Sequence, residues 1–219
     1  MKFNKQSLEE QVTDYLREKI ISGEISQGEK IIESTMAKEL DLSRSTIRMA
    51  LNSLSHEGLV ISKPYAGWHV ISLNEDDLWE LYNLRVALES QSASMAAEQA
   101  TDKDKQELQA ILNDYLQLCE ENPTDLRAII DADFALHNRI VEASNSKRME
   151  KIYSQIANQL KTYLCMTHYD YDISQSGLSH KPIIDAIING DPKAARTEAK
   201  ANITPFTDLC ALLKAEKKN

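Results

Sequence analysis

Apolar residues recur every three or four positions over most of this chain, the spacing of a helix with one face turned to a core. Leu8, Val12, Leu16 and Ile20, spaced by four, predict a first helix over 7–22, ended by Gly23. "EISQGEK" reads as a turn, and "ESTMAKEL" as a short helix with Met36, Ala37 and Leu40 inward. "DLS" is a tight turn whose Ser43 can cap the next helix by accepting from a free backbone N–H. That helix carries Ile47, Ala50, Leu51 and Leu54 on one face and stops at Gly58. The pattern then changes. "LVISKPYAGWHVISL" has β-formers on both sides of a Pro/Gly turn and predicts a hairpin. Residues 7–72 therefore read helix, helix, helix, hairpin.

"LNEDDL" marks a boundary: Asn74 can cap, and Glu75, Asp76 and Asp77 suit a first helical turn. From there the periodicity predicts helices over 75–99, 102–121, 125–143, 147–169, 178–189 and 192–216. Thr101, Pro123 with Thr124, and Asp191 with Pro192 supply the punctuation, and Pro205 kinks or breaks the last helix. The expected fold is mostly α. A winged helix-turn-helix over 1–73 precedes an all-helical bundle over 74–219.

Charge refines this picture. The net charge of −9 divides into −1 for residues 1–70 and −8 for the remainder. A nucleic-acid binder with a basic body is excluded; a near-neutral reader on an acidic body is not, and its phosphate contacts must come from a local patch. No apolar run approaches a membrane span, and "MKFNKQSLEE" has no apolar signal core, so a cytoplasmic protein is expected. Cys119, Cys165 and Cys210 are odd in number, far apart and flanked by apolar helix residues, as reduced packed thiols would be.

The helix after Ser43 opens with Arg44, Ser45, Thr46 and Arg48, although a helix N-terminus disfavours positive charge. Taken singly, either arginine reads as a solvated surface cation. Taken with a following wing, the run fits a winged helix-turn-helix, whose second helix enters the major groove by its N-terminal end. Arg44 and Arg48 lie one turn apart, within reach of base edges or phosphates. Ser43, Ser45 and Thr46 suit phosphate oxygens, and Gly67, with Lys63 beside it, lets the wing approach the backbone. The stretch "GEISQGEKIIESTMAKELDLSRSTIRMALNSLSHEGLVISKPYAGWHV" resembles the DNA-binding domain of GntR-family bacterial transcription regulators. The resemblance implies that Arg44, Thr46, Arg48 and Gly67 contact DNA. One departure is "STIRMA", where the family often has Pro-Val-Arg-Glu-Ala; Met49 in place of an acid alters a local contact rather than the fold.

A second constellation lies downstream. Asp133 and His137 project from one helix face at i, i+4, with His180 near a helix start and Asn202 near a helix end. An Asp with two His is a divalent-metal set in kind, although a histidine alone more often packs or faces solvent. "LYNLRVALES", "DFALHNRIVEAS" and "HKPIIDAIINGDPKAA" resemble the all-helical effector (FCD) domain of the family's FadR-type branch. Many such relatives hold a metal of Zn or Ni type with one Asp and three His and bind a small carboxylate on it. By that resemblance Asp133, His137 and His180 fill three positions, and Asn202 stands where a histidine is usual. Arg85 lies in the apolar stripe Leu78, Leu81, Leu88 and points inward. Glu89, one turn on, can pair it structurally, or Arg85 can clamp a ligand carboxylate bidentately; the resemblance favours the clamp. His168 and the tyrosines of "MTHYDYD" either line the same cavity or pack.

The reading is a cytoplasmic, homodimeric DNA-binding regulator, not an enzyme. It takes a pseudo-palindromic operator of double-stranded DNA and a small organic acid as effector, with no membrane partner. Two alternatives stay open: a metal-dependent enzyme built on Asp133, His137 and His180, for which no motif supplies a nucleophile, and a regulator without an effector.

Overall fold

The computed structural model describes residues 7–72, 74–167 and 176–203. They form two compact units, one within residues 1–73 together with 155–162, the other within 74–154 and 163–219. Among the described residues no helix is long and apolar enough to cross a membrane.

The first unit contains α1 (Leu8–Ile21), β1 (Lys30–Ile31), α2 (Glu33–Glu39), α3 (Arg44–His56), β2 (Val60–Lys63) and β3 (Gly67–Val70). Ser7 and Glu10 close a capping box at the start of α1. Ser43 caps α3 by accepting from the Thr46 N–H at 3.1 Å, as its place before the arginine run predicts. Val12, Leu16, Ile20, Ile47, Leu51 and Leu54 are buried in one core, against which Met36, Leu40 and Trp68 pack partly buried. Leu8, the first of the four-spaced residues, is 51% exposed. Four residues advance a helix by 400°, so each step of four drifts about 40° around the axis and the fourth member has left the face.

The wing has a third strand that the sequence reading took as part of a turn. The sheet order is β1-β3-β2, antiparallel throughout, with Ile31 opposite Trp68 and Lys63 opposite Gly67. A two-residue strand shows no alternation, and its partner lies far along the chain, so no local pattern announces it.

The second unit contains α4 (Glu75–Gln99), α5 (Asp102–Glu121), α6 (Leu126–Ala143), α8 (Ser176–Ser179), α9 (Lys181–Ile188), α10 (Pro192–Asn202) and both ends of α7 (Lys147–Thr167), whose residues 155–162 belong to the first. Asn74, Thr101 and Asp191 cap α4, α5 and α10 as expected, and Asp125 caps α6. Leu108, Leu112, Tyr115, Ile129, Leu136 and Ile183 form the core, and Ala93, Ala96 and Ala97 of α4 share it with Ala195 and Ala199 of α10. These small residues let the two helices approach closely.

Two expected helices are corrected. The segment read as one helix over 178–189 is α8 and α9 with His180 at the corner. Pro182, at the start of α9, has no N–H to give back to Leu178, and its ring clashes with that carbonyl. The last helix, expected over 192–216, stops at Asn202 with Ile203 extended. Pro205, His168, Tyr169, Tyr171, Cys210 and the Cys165 side chain lie outside the described residues. Cys119 is a buried free thiol.

Leu54 is fully buried, and Trp68 packs against its core. In a Trp79→Phe background, where Trp68 is the sole indole, Leu54→Ala should destabilise the unit by about 2–5 kcal/mol in urea unfolding followed by fluorescence. A loss below about 1 kcal/mol would contradict this core.

Candidate functional site

The arginine end of α3 is exposed but not unpartnered. Arg48 donates from Nε to Glu33 Oε1 at 2.9 Å and from Nη2 to Oε2 at 2.7 Å, a two-point fork. Arg44 Nη2 lies 3.5 Å from the same Oε2, and Trp68 Nε1 of the wing donates to Oε1 at 3.1 Å. One carboxylate at the start of α2 thus ties α3 to β3. It also answers the oddity of arginines at a helix N-terminus, since the anion they face is internal. The Arg48 hydrogen bonds draw Glu33 from its usual 4.5 down to about 2; partial burial pushes the other way, and Trp68 and Arg44 add to the pull. The Ser45 and Thr46 hydroxyls both hydrogen-bond the Ser43 hydroxyl, at 2.7 and 2.9 Å.

Beside this end lies a cleft of about 500 Å³ whose lining includes Lys30, Glu33, Arg44, Lys63, Gly67 and Trp68. Gly67 has φ +85°, so the left-handed backbone, rather than space, calls for glycine there. Tyr65 at the wing tip is fully exposed and also left-handed, at φ 62°. Glu33 and Tyr65 are absent from the sequence-based candidates. Glu33 acts across a tertiary contact fifteen residues from Arg48, for which no local spacing rule exists.

The second constellation converges in the second unit. α4 supplies Arg85 and Glu89, α6 supplies Asp133 and His137, and the α8–α9 corner supplies His180. Their exposures are 6%, 2%, 5%, 3% and 2%. Arg85 Nε donates to Glu89 Oε1 at 2.9 Å, and its Nη2 lies 3.1 Å from His137 Nε2 and 3.9 Å from Asp133 Oδ2. Tyr153 of α7 donates to Glu89 Oε1 at 2.8 Å. Tyr115 of α5 reaches Asp133 Oδ1 at 3.3 Å and the Ser176 hydroxyl at 2.7 Å.

The tautomers follow from the partners. His180 Nδ1 lies 2.8 Å from the Ser176 carbonyl, which only accepts, so Nδ1 carries a proton. His137 Nδ1 lies 2.9 Å from Glu89 Oε2, a close contact that lacks hydrogen-bond alignment but again faces an acceptor-only atom. Each ring therefore turns its Nε2 inward, and His137 Nε2, which faces the donor-only guanidinium of Arg85, presents its lone pair there. The two Nε2 atoms are 3.0 Å apart, and His180 Nε2 is 3.1 Å from Asp133 Oδ1. Asp133, His137 and His180 offer three ligand atoms within 4.8 Å of one another. Asp133 Oδ2 is buried without a hydrogen-bond partner.

Burial alone would raise both carboxyls. For Asp133 the neighbouring His137, His180 and Arg85 outweigh it and hold the group well below the carboxylate range. For Glu89 the guanidinium of Arg85 and His137 do the same, to about 2. Tyr115 is pushed up by burial and by Asp133, and Tyr153 by burial and by Glu89, so both remain neutral donors.

Asn202, half-buried at the end of α10, donates to Ser179 Oγ at 2.9 Å, and Ser179 Oγ is 3.3 Å from His180 Nδ1. It stands on the proton-bearing side of His180, away from the inward Nε2. Both readings of Arg85 meet here: it is paired with Glu89 and also faces the cluster. Tyr115, Tyr153 and Ser176 were not among the sequence-based candidates, since a tyrosine in an apolar stripe looks like core until its hydroxyl finds a partner.

Residues 80–204 match the model of the FCD domain, and residues 8–70 that of the bacterial regulatory proteins of the gntR family. The chain is 27% identical over 201 residues to the "Probable D-xylose utilization operon transcriptional repressor" of Paenarthrobacter nicotinovorans, covering 92% of this chain and 88% of that one. It is 30% identical over 142 residues to the Nta operon transcriptional regulator of Aminobacter aminovorans, covering 64% and 66%. Among solved structures, E. coli McbR/YncC shares the fold with a TM-score of 0.77 at 20% identity, over 97% of this chain and 100% of that one.

A carboxyl whose folded pKa is lowered stabilises above its unfolded value, and that contribution is lost as pH falls through the folded value. Glu33 therefore contributes fully above about 4.5 and loses its contribution toward about 2. Glu33→Gln should melt below the unsubstituted protein at pH 7, and the gap should narrow steadily below pH 4.5. A gap independent of pH would show that the carboxylate charge is not what holds the arginines.

Proposed function

The chain belongs to the GntR-type transcription regulators that carry an FCD domain, and we propose that its operator binding is governed by a small organic acid held at the buried Arg85/Asp133/His137/His180 cluster. Residues 1–73 are the reader and residues 74–219 the effector-binding and dimerising body. The reader inserts the start of α3 into the major groove. Arg44 and Arg48 address bases or phosphates, Ser43, Ser45 and Thr46 phosphate oxygens, and Lys63 with Gly67 the backbone flanking the wing. A homodimer doubles this on a pseudo-palindromic operator, since one winged module touches few bases.

One observation carries the effector reading. Two imidazole Nε2 atoms and a carboxylate with an unpartnered oxygen converge beside a guanidinium, all buried among the helices of the second unit. That donor set suits a borderline divalent ion of Zn or Ni type, and Glu89 and the Ser176 carbonyl hold the outer ring nitrogens as a metal-ligating histidine requires. A bound ion would supply the positive charge that attracts an acid. His137, His180 and Asp133 would hold it; Arg85 would orient the acid, and Tyr115 would keep Asp133 in place. Among the described residues the serine hydroxyl nearest a histidine of the cluster, Ser179 Oγ, meets His180 at Nδ1, the nitrogen that carries the proton, so it lacks a base, which favours a regulator over an enzyme.

Two measurements test this. Arg44→Ala and Arg48→Ala should each weaken operator binding. The loss should be about 1–3 kcal/mol at one base position if the arginine reads a base, or uniform across sequences with a salt slope smaller by about one if it touches phosphate. Unchanged affinity in the folded double variant would remove α3 as reader. Separately, a panel of small carboxylates, with and without Zn or Ni, should contain one that shifts operator affinity by about 1–3 kcal/mol, with the operator shifting the acid's affinity by the same factor. An acid that binds the cluster tightly yet leaves operator affinity unchanged would refute the effector role.

A further inference from the structure

Arg85 stands on the lone pair that a metal needs. A neutral imidazole has one N–H and one lone pair. His137 turns its N–H side to Glu89, so Nε2 holds the only pair, and Arg85 Nη2 points at it from 3.1 Å. The same guanidinium nitrogen is 3.9 Å from Asp133 Oδ2, the oxygen that has no hydrogen-bond partner. Two of the three metal donors thus already face a resident cation. A lone pair cannot be given to an N–H and to a metal ion at once, and a dication at these donors would repel a guanidinium a few ångströms away.

We propose that Arg85 is a built-in competitor of the divalent ion: guanidinium and metal occupy His137 Nε2 in turn, and the ion binds only as Arg85 withdraws from it. The inference rests on the metal reading given above. Arg85 is suited to such exchange because it has a second anchor. Its Nε donates to Glu89 one turn along α4, and Glu89 is itself fixed by Tyr153, so the guanidinium can leave His137 without becoming an unpaired buried charge. Withdrawn, its Nη2 donors are free for an acid's carboxylate bound beside the ion. The site then has two states of similar completeness: guanidinium on His137, or ion on Asp133, His137 and His180 with Arg85 free to meet the acid. Metal affinity in this chain is accordingly set by Arg85 as well as by the ligands.

The test is zinc titration of the full-length, chelator-stripped protein at one fixed pH, by calorimetry and by competition with a chelating dye. Arg85→Gln should bind zinc at least about tenfold more tightly than the unsubstituted protein, and His137→Ala should lose binding in both backgrounds. Equal or weaker binding by a folded Arg85→Gln would overturn the competitor role while leaving the metal reading intact. Binding by neither protein would overturn both. Because Arg85→Gln removes one partner of a buried ion pair and an unfolded variant would report nothing, the unsubstituted protein gives a second readout. The Arg85 Nε–H resonance should shift in step with zinc occupancy and stay fixed in His137→Ala. Zinc binding that leaves that resonance unmoved would overturn the proposal.

Discussion

A charge taken out of water must be met by another charge or by hydrogen bonds, and the second unit takes in Arg85, Glu89, Asp133, His137 and His180 together. That requirement explains much of the surrounding structure. Glu89 sits one turn from Arg85 because the pair needs a common helix face. Asp133 and His137 repeat the i, i+4 device on α6. Tyr115 and Tyr153 bring hydroxyls from α5 and α7 as further donors to Asp133 Oδ1 and Glu89 Oε1. The proline-enforced corner between α8 and α9 puts His180 where its outer nitrogen meets the Ser176 carbonyl and its inner nitrogen meets the cluster. Asp133 Oδ2, left without a hydrogen bond, is the oxygen of the cluster that faces Arg85.

The first unit solves a smaller version of the same problem. Arginines at the start of α3 oppose the helix dipole, and Glu33 offsets them from across the α2–α3 turn. The fork from Arg48 and the bond from Trp68 on one carboxylate give the arginine end a defined geometry while leaving both arginines exposed. A reader whose side chains are already ordered gives up less conformational entropy on meeting DNA.

What the sequence made legible follows from range. Caps at Asn74, Thr101 and Asp191 act on N–H groups two or three residues away and could be read directly. The Pro/Gly wing turn and the i, i+4 pair Asp133/His137 are equally local. The strand β1, the Glu33 clamp and the Tyr115 and Tyr153 hydroxyls depend on partners between 15 and 64 residues distant, and no short spacing encodes them. The break at His180 was a different kind of miss. Pro182 is a local signal, because a proline there cannot sit inside a helix continuous from 178, and it marks the start of α9. The convergence of His180 with the α6 pair came from a family resemblance, since separate helices must fold before their side chains can meet.

On the function proposed above, the inward-facing atoms of Asp133, His137 and His180 form a ligand site rather than a closed ion-pair network. A crystal structure grown with zinc, with anomalous data collected at the zinc edge, tests it most directly. The account predicts one buried anomalous peak about 2.0–2.2 Å from His137 Nε2, His180 Nε2 and an Asp133 oxygen, with the Arg85 guanidinium turned off His137. A peak elsewhere, or a fully loaded crystal with Arg85 still donating to His137 and no metal on either imidazole, would contradict it.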